Sequence, residues 1–360
     1  MGKKSWIKYD RNPIIDLQKE DFRDPNVFWH EQSKQWIMSV VLPKEYKCLF
    51  YGSKNLKTWT LLSEFGNAGD QRSIWECPAL IELPSDDKLQ KWALLISAAH
   101  PDSAKGYVGM QYFVGSFDGK NFKNANSPET VLWLDYGKDF YAAIPWNQAP
   151  DSRKIIYAWM SNWAYAGKVP TQTWRGQFSI PRTIALKTYP EGIRIVQQPV
   201  VELEKLRKKE INFDKISIKD INAVLEKVES NTLEIVVDFE VDKSNDEGEL
   251  GVKLRKGTNQ ETVIGYDTKK GQIYVDRTRS GNVSFSPMFA SRESTPLELE
   301  NKKLRLHIFL DKCSVEVFAN HGKVSMTSLI FPDPNSKGLS IFSHKENTKI
   351  TSIRVWELGK

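Results

Sequence analysis

Hydrophobic positions in the first 200 residues fall in short runs rather than in a helical period. Trp36–Leu42, Leu49–Gly52, Trp92–Ser97, Gln111–Gly115 and Ile155–Met160 are apolar stretches of strand length. Gly, Pro, Asn, Asp and Ser bound them, which is the punctuation of β-structure. No segment of this half sustains a 3.6-residue repeat. From about residue 212 a clearer in/out alternation takes over, in Thr232–Phe239, Gly251–Leu254, Gln272–Asp276, Leu304–Leu310 and Ser314–Phe318. Further strands are expected at Val324–Phe331 and Ile350–Trp356. Strands at this spacing predict a β-sandwich. Asn320-His321-Gly322 reads as a hairpin turn, with Gly where φ must be positive.

A loose repeat marks the first half. Ser53 to Trp59 in YGSKNLKTWT and Ser116 to Phe122 in VGSFDGKNFK share a Gly-Ser, a polar turn and an aromatic. Such a unit predicts the outer hairpin of a propeller blade, a four-stranded sheet repeated around an axis. Between the halves, residues 197–211 become charged, and Val201, Leu203 and Leu206 are spaced for a brief helical turn. The expected division is therefore a β-propeller over 1–200, a linker over 201–211 and a β-sandwich over 212–360.

Composition changes this picture little. The chain is 40% hydrophobic and has 12 Trp, which are expected mostly in the core. Its 51 basic and 45 acidic residues give a net charge of +6, spread along the chain. Lys205–Lys209 and Glu298–Lys303 read as solvated faces, and no basic stripe interleaved with aromatics points to nucleic acid. Cys48, Cys77 and Cys313 are too few and scattered for a disulfide framework or a zinc site, and read as free buried thiols. No apolar run is long enough for a membrane helix, so no membrane partner is expected. The basic start lacks the apolar core of a secretion signal, and Trp6 stands where a myristoylation site favours Ser or Thr. Location stays open; a signal upstream in a longer product would make it extracellular or periplasmic.

Two short stretches carry candidate chemistry. Phe22-Arg23-Asp24-Pro25-Asn26-Val27-Phe28-Trp29 and Trp75-Glu76-Cys77-Pro78 each place one carboxylate in an aromatic and proline frame. Asp-Pro alone is commonly a turn, and Glu76 alone could be a surface residue at a strand edge. Arg23 beside Asp24, and an apolar collar of Trp75, Cys77 and Pro78 around Glu76, favour function. Cleavage of a glycosidic bond uses such a carboxylate pair.

Together these motifs resemble glycoside hydrolase family 32, the invertases, levanases and inulinases. The segments LDYGKDFYAAIPW (134–146), YAWMSNWAYAGKVPTQTWRGQFSIPR (157–182) and VEVFANHGKVSMTSLIF (315–331) extend the likeness to the C-terminus. Ala79, where Asp is frequent, is a small departure. The resemblance implies an all-β fold, a partial five-bladed β-propeller followed by a C-terminal β-sandwich. It implies retaining hydrolysis of β-fructosides of sucrose, levan or inulin type, without cofactor or metal. Glu76 would be the acid/base and Asp24 the transition-state stabiliser. Arg23, Asp135, Lys138, Asp139 and Tyr141 would bind substrate, and Trp163 and Trp174 are weighed for stacking on sugar against simply building a blade. The family's nucleophile motif, Asn-Asp-Pro-Asn, lies well upstream of Arg-Asp-Pro, whereas 22 residues precede Arg23 here. Asp10 and Asp16 stand in the wrong order to replace it. The nucleophile is thus read as absent from this chain. Two other readings follow: a fructoside-binding or partner-dependent fragment completed by an N-terminal segment or partner chain, and an independent sandwich lectin.

Overall fold

The computed structural model describes residues 5, 7–86, 90–99, 108–241, 248–344 and 348–359, which are almost entirely β. Three antiparallel sheets follow one another in the first half. β1 (Arg23–His30), β2 (Gln35–Leu42), β3 (Lys47–Ser53) and β4 (Thr60–Gly66) pair in chain order. So do β5 (Ile74–Pro84), β6 (Gln90–Ala99), β7 (Gly109–Phe117) and β8 (Phe122–Asn124). The third sheet comprises β9 (Tyr141–Pro145), β10 (Ile155–Met160), β11 (Gln177–Phe178), β12 (Arg182–Tyr189) and β13 (Gly192–Pro199). There β9 pairs with β10 along one edge, β11 and β12 pair with it in succession along the other, and β12 pairs with β13. These are propeller blades, and the Gly-Ser repeat is the outer hairpin of the first two, β3–β4 and β7–β8.

Alternation along the strands sends every second side chain between blades. Ile37, Phe50, Trp75, Leu94 and Phe113 fill the space between the first and second blades. Leu83, Leu95, Tyr112, Ile156 and Ile184 fill that between the second and third. The segment before β1 lays Ile15, Leu17 and Phe22 over the first blade's other face. On the third blade the outward face stays open: Ile144, Trp146 and Phe178 are 45%, 47% and 70% exposed. The tryptophans depart from expectation, since Trp29, Trp146, Trp163 and Trp174 are exposed and only Trp75, Trp92 and Trp356 are buried among the described ones.

A 3-10 turn over Val201–Leu206 leads into β14 (Arg207–Ile216) and a short helix α1 (Ile218–Leu225). Then follow β15 (Leu233–Glu240), β16 (Glu249–Gly257), β17 (Gln260–Asp267), β18 (Gln272–Arg279) and β19 (Arg292–Pro296). The last strands are β20 (Lys303–Asp311), β21 (Ser314–Ala319), β22 (Val324–Leu329), β23 (Gly338–Ser343) and β24 (Lys349–Leu358). They form two sheets, β14-β24-β15-β20-β21-β22 and β19-β18-β17-β16-β23, enclosing a core of Leu, Ile and Val. The segment read as connector is thus the expected helical turn over Val201–Leu206 followed by the start of a strand. β14 looks unlike one in sequence because it is an edge, where charged side chains deter unwanted pairing.

The two domains meet through buried charge. Arg182 of β12 is fully buried; its Nη1 donates to Asp135 Oδ2 at 2.9 Å and its Nη2 to Glu316 Oε2 at 2.6 Å. Phe140 and Phe318 pack on its guanidinium. Arg277 of β18 donates from Nη1 to Asp139 Oδ2 at 2.5 Å and from Nη2 to Tyr165 Oη at 2.8 Å. The backbone N–H groups of Thr327 and Leu329 donate to Asp135 and Asp139, each at 2.8 Å. Burial pushes the Glu316 carboxyl up, while Arg182 and the Ile180 N–H oppose that shift. Glycines permit this approach. A Cβ on Gly137 would lie 2.0 Å from Thr327 O, and one on Gly322 1.7 Å from Gln197 O. Gly322 therefore serves the interface as well as its turn, where Asn320 and His321 also have positive φ.

Asp135 and Asp139, expected to bind substrate, are 1% and 0% exposed and face the sandwich. Lys138 donates to Met288 O at 3.0 Å in the same interface. The two carboxylates are neutralised by Arg182 and Arg277, 47 and 138 residues away, and by N–H groups of β22, which local sequence does not reveal. Arg182→Ala, which strands Asp135 and Glu316 in the interior, should cost roughly 3–5 kcal/mol of stability. Urea denaturation checks this, and a loss below about 1 kcal/mol would mean the interface is not held by these pairs.

Candidate active site

Three neighbouring strands each carry an irregularity at the same end. The β1–β2 register shifts between Arg23 and Asn26, with Asp24 at φ 62°. The β5–β6 register shifts between Glu76 and Ala79, with Cys77 at φ 47°. The β9–β10 register shifts opposite Ala142, which has φ 53°. A left-handed non-glycine residue costs roughly 1–2 kcal/mol, so three together at the mouth of adjacent strands mark a place held by its surroundings. Bulges of this kind re-aim side chains, and here they turn Asp24, Glu76 and Tyr141 toward one another.

Arg23 Nη2 donates to Glu76 Oε1 at 2.9 Å, and its Nη1 donates to Asp21. Its Nε lies 3.8 Å from Asp24 Oδ2. The Tyr141 hydroxyl donates to the other oxygen of Glu76. Asp24 Oδ2 accepts from the Cys77 N–H at 3.0 Å. Arg23, Asp24 and Glu76 side chains keep 37%, 29% and 18% of their surface, so the cluster is fixed yet reachable.

The surroundings differ from the collar read in the sequence. Trp75 is fully buried between blades, because neighbours in a strand point to opposite faces. Arg23 and Tyr141 border Glu76 instead. Burial, then the negative Glu76, pushes the Tyr141 phenol far up, so it stays a neutral donor. Burial, then Asp24 and Glu76, pushes the Cys77 thiol up to about 12. From Tyr141 an aromatic series runs outward: Trp159 lies 6.3 Å from it, and Trp163 lies 4.9 Å beyond, 60% exposed.

The structure thus brings Arg23, Asp24, Glu76 and Tyr141 together and leaves Asp135, Lys138 and Asp139 in the domain interface. Sequence reasoning missed Asp21, whose only signal is its place two residues before Arg23. It also missed Trp159 as the link to Trp163. Among the described residues no group of His, Cys, Asp and Glu side chains is arranged to hold a metal ion. The cation among these carboxylates is Arg23.

Two family descriptions match the chain, the glycosyl hydrolases family 32 N-terminal domain over residues 1–199 and the family 32 C-terminal domain over 202–357. The chain belongs to glycosyl hydrolase family 32. It is 45% identical to a levanase of Bacillus subtilis, over 99% of this chain and 53% of the levanase. It is 36% identical to an extracellular exo-inulinase of Aspergillus awamori, over 99% of this chain and 69% of that protein. The crystal structure of an A. awamori exo-inulinase superposes with TM-score 0.86 at 32% identity, covering 97% of this chain and 71% of that one. A Schwanniomyces occidentalis fructofuranosidase complexed with fructose gives TM-score 0.85 at 28% identity, covering 98% and 74%. The chain thus spans about half of the levanase, and the propeller and sandwich architecture is that of the family.

The perturbed thiol supplies a test of the site's geometry. At pH 8, Cys77 in a variant lacking the other two cysteines should react with an aromatic disulfide roughly a hundredfold more slowly than an exposed thiol. Glu76→Gln removes one of the charges holding the proton on and should speed the reaction. Rapid labelling of Cys77, or no response to Glu76→Gln, would place the thiol away from these carboxylates.

Proposed function

We propose that the cluster belongs to a site that cleaves β-fructosides of sucrose, levan or inulin type. The observation that carries this reading is the clamping of one carboxylate, Glu76, by Arg23 and Tyr141 directly beside a second, Asp24. The 45% identical levanase and the 36% identical exo-inulinase support the substrate class.

In this reading Glu76 gives its proton to the glycosidic oxygen as the bond to the fructosyl carbon breaks. Positive charge then develops on the fructosyl ring, and Asp24, held ready by the Cys77 N–H, stabilises it. Arg23 and Tyr141 orient Glu76 before the transfer and stabilise its carboxylate afterwards. Glu76 then acts as base on the incoming water in a retaining course. The nucleophile of that course is assigned to none of these residues. The aromatic series from Tyr141 to Trp163 offers a surface on which a further sugar ring stacks.

A second reading is favoured by the open flank of the third blade at Ile144, Trp146 and Phe178. There the chain is the acid/base-bearing part of a larger β-fructosidase, and binds fructosides without cleaving them unaided. Fructose release from sucrose, levan and inulin separates the two. Release that Glu76→Gln lowers by roughly 10²–10⁴-fold supports cleavage by the chain itself. Binding without release supports the second reading. Release indifferent to Glu76→Gln would contradict both. Where release is seen, Trp163→Ala should raise KM severalfold and leave kcat nearly unchanged, as read from initial rates on inulin.

A further inference from the structure

The outer face of the five-stranded sheet of the sandwich holds a hollow of about 170 Å3 for which the Glu76 cluster has no use. Gly251 of β16 stands opposite Gly265 of β17, with Phe342 of β23 beyond the first and Tyr274 of β18 beyond the second. The Tyr274 ring lies over Gly265 and is itself buried, and the hollow opens beside it, toward Phe342. A Cβ at Gly265 would come within 2.3 Å of the Tyr274 ring, so this row accepts no larger residue as it stands.

The walls are hydrogen-bonded and fixed. Arg292 stacks 3.5 Å from the Tyr274 ring centre and donates to Glu249 Oε1 at 2.5 Å. The Tyr274 hydroxyl donates to Glu249 Oε2 at 2.9 Å. On the other wall Glu261 accepts from Arg279 and lies 3.2 Å from Lys253 Nζ. Phe342 and His344 pair at 5.7 Å beside them. Lining cations Lys253, Arg279 and Arg292 balance lining anions Glu249, Glu261 and Asp276, so a bare ion of either sign gains little net attraction. An apolar ligand would meet charged walls. Paired carboxylates and guanidiniums beside the partly exposed Phe342 ring instead suit a neutral ligand with many hydroxyls and an apolar ring face.

We propose that this hollow is a second, non-catalytic carbohydrate site that takes one sugar unit of a fructan chain. The sugar class follows from the hollow, while the choice of fructan rests on the function proposed for the Glu76 cluster. A chain held on the sandwich would raise the local concentration of polymer and leave a short substrate unaffected.

Affinity electrophoresis of the full chain through gels containing inulin or levan tests this, in a Glu76→Gln background so that the polymer survives. Val263→Trp fills the hollow and Phe342→Ala removes one ring; neither residue touches the Glu76 cluster. Each should weaken retention roughly tenfold while the thermal midpoint stays unchanged. If Val263→Trp unfolds, Phe342→Ala decides. Retention equal to the parent's in every folded variant would overturn the proposal. Retention on an α-glucan gel but not on fructans, lost in both variants, would overturn the fructan assignment. Because the readout is binding, loss of the fructosidase reading shows separately, as fructose release indifferent to Glu76→Gln.

Discussion

Two buried guanidiniums fix this structure. Arg182 comes from the propeller and Arg277 from the sandwich, and both end on carboxylates of one short propeller segment, Asp135 and Asp139. The same carboxylates accept the N–H groups of Thr327 and Leu329 on β22, so the segment is pinned at two points to a sandwich strand. Tyr141 follows Asp139 by two residues and opens β9. The sandwich, although it contributes no group to the Glu76 cluster, therefore sets where the Tyr141 hydroxyl meets Glu76. Charges buried this deeply repay their desolvation only when well hydrogen-bonded, and here, although Arg182 Nε has no partner, both of its terminal nitrogens and both carboxylates are paired with groups from the two domains. The domains are thereby one mechanical unit.

The site itself trades backbone strain for direction. Each of three adjacent strands turns a residue into the left-handed region where it reaches the mouth of the propeller, at Asp24, Cys77 and Ala142. Continuous blade cores hold them there, with Trp75, Phe113 and Leu94 behind the second strand. The result is a carboxylate gripped on both oxygens with another beside it. That grip fixes both carboxylates before substrate arrives, as the proposed acid/base and charge-stabilising roles require.

How much of this was legible depended on how far apart the partners lie. Arg23-Asp24-Pro25 and Glu76-Cys77-Pro78 are local motifs, each legible in the sequence, whose side chains meet where the inner strands of two adjacent blades lie side by side. Tyr141, from the segment 134–146, meets them through its hydroxyl on Glu76. Asp135 and Asp139 lie in the same family-like segment, yet their partners are residues such as Thr327 and Arg277, and nothing local distinguishes a carboxylate that binds sugar from one that binds another domain. α1 was missed because its eight residues are too few to show a period. β14 was missed because an edge strand hides its alternation under charge. The tryptophans misled in the other direction: aromatic count favours core, but on the third blade Trp146 and Trp163 face outward beside open apolar surface. Burial at such positions depends on whatever packs against that flank.

In the proposed function Arg23, Asp24, Glu76 and Tyr141 hold a fructosyl unit while its glycosidic oxygen is protonated. A crystal structure of the Glu76→Gln protein soaked with fructose or a short fructan tests it most directly. The fructosyl ring should lie with its hydroxyls on Asp24 and Arg23 and its anomeric oxygen within hydrogen-bond reach of the substituted amide at position 76. A sugar bound elsewhere while this cluster stays bare would contradict it.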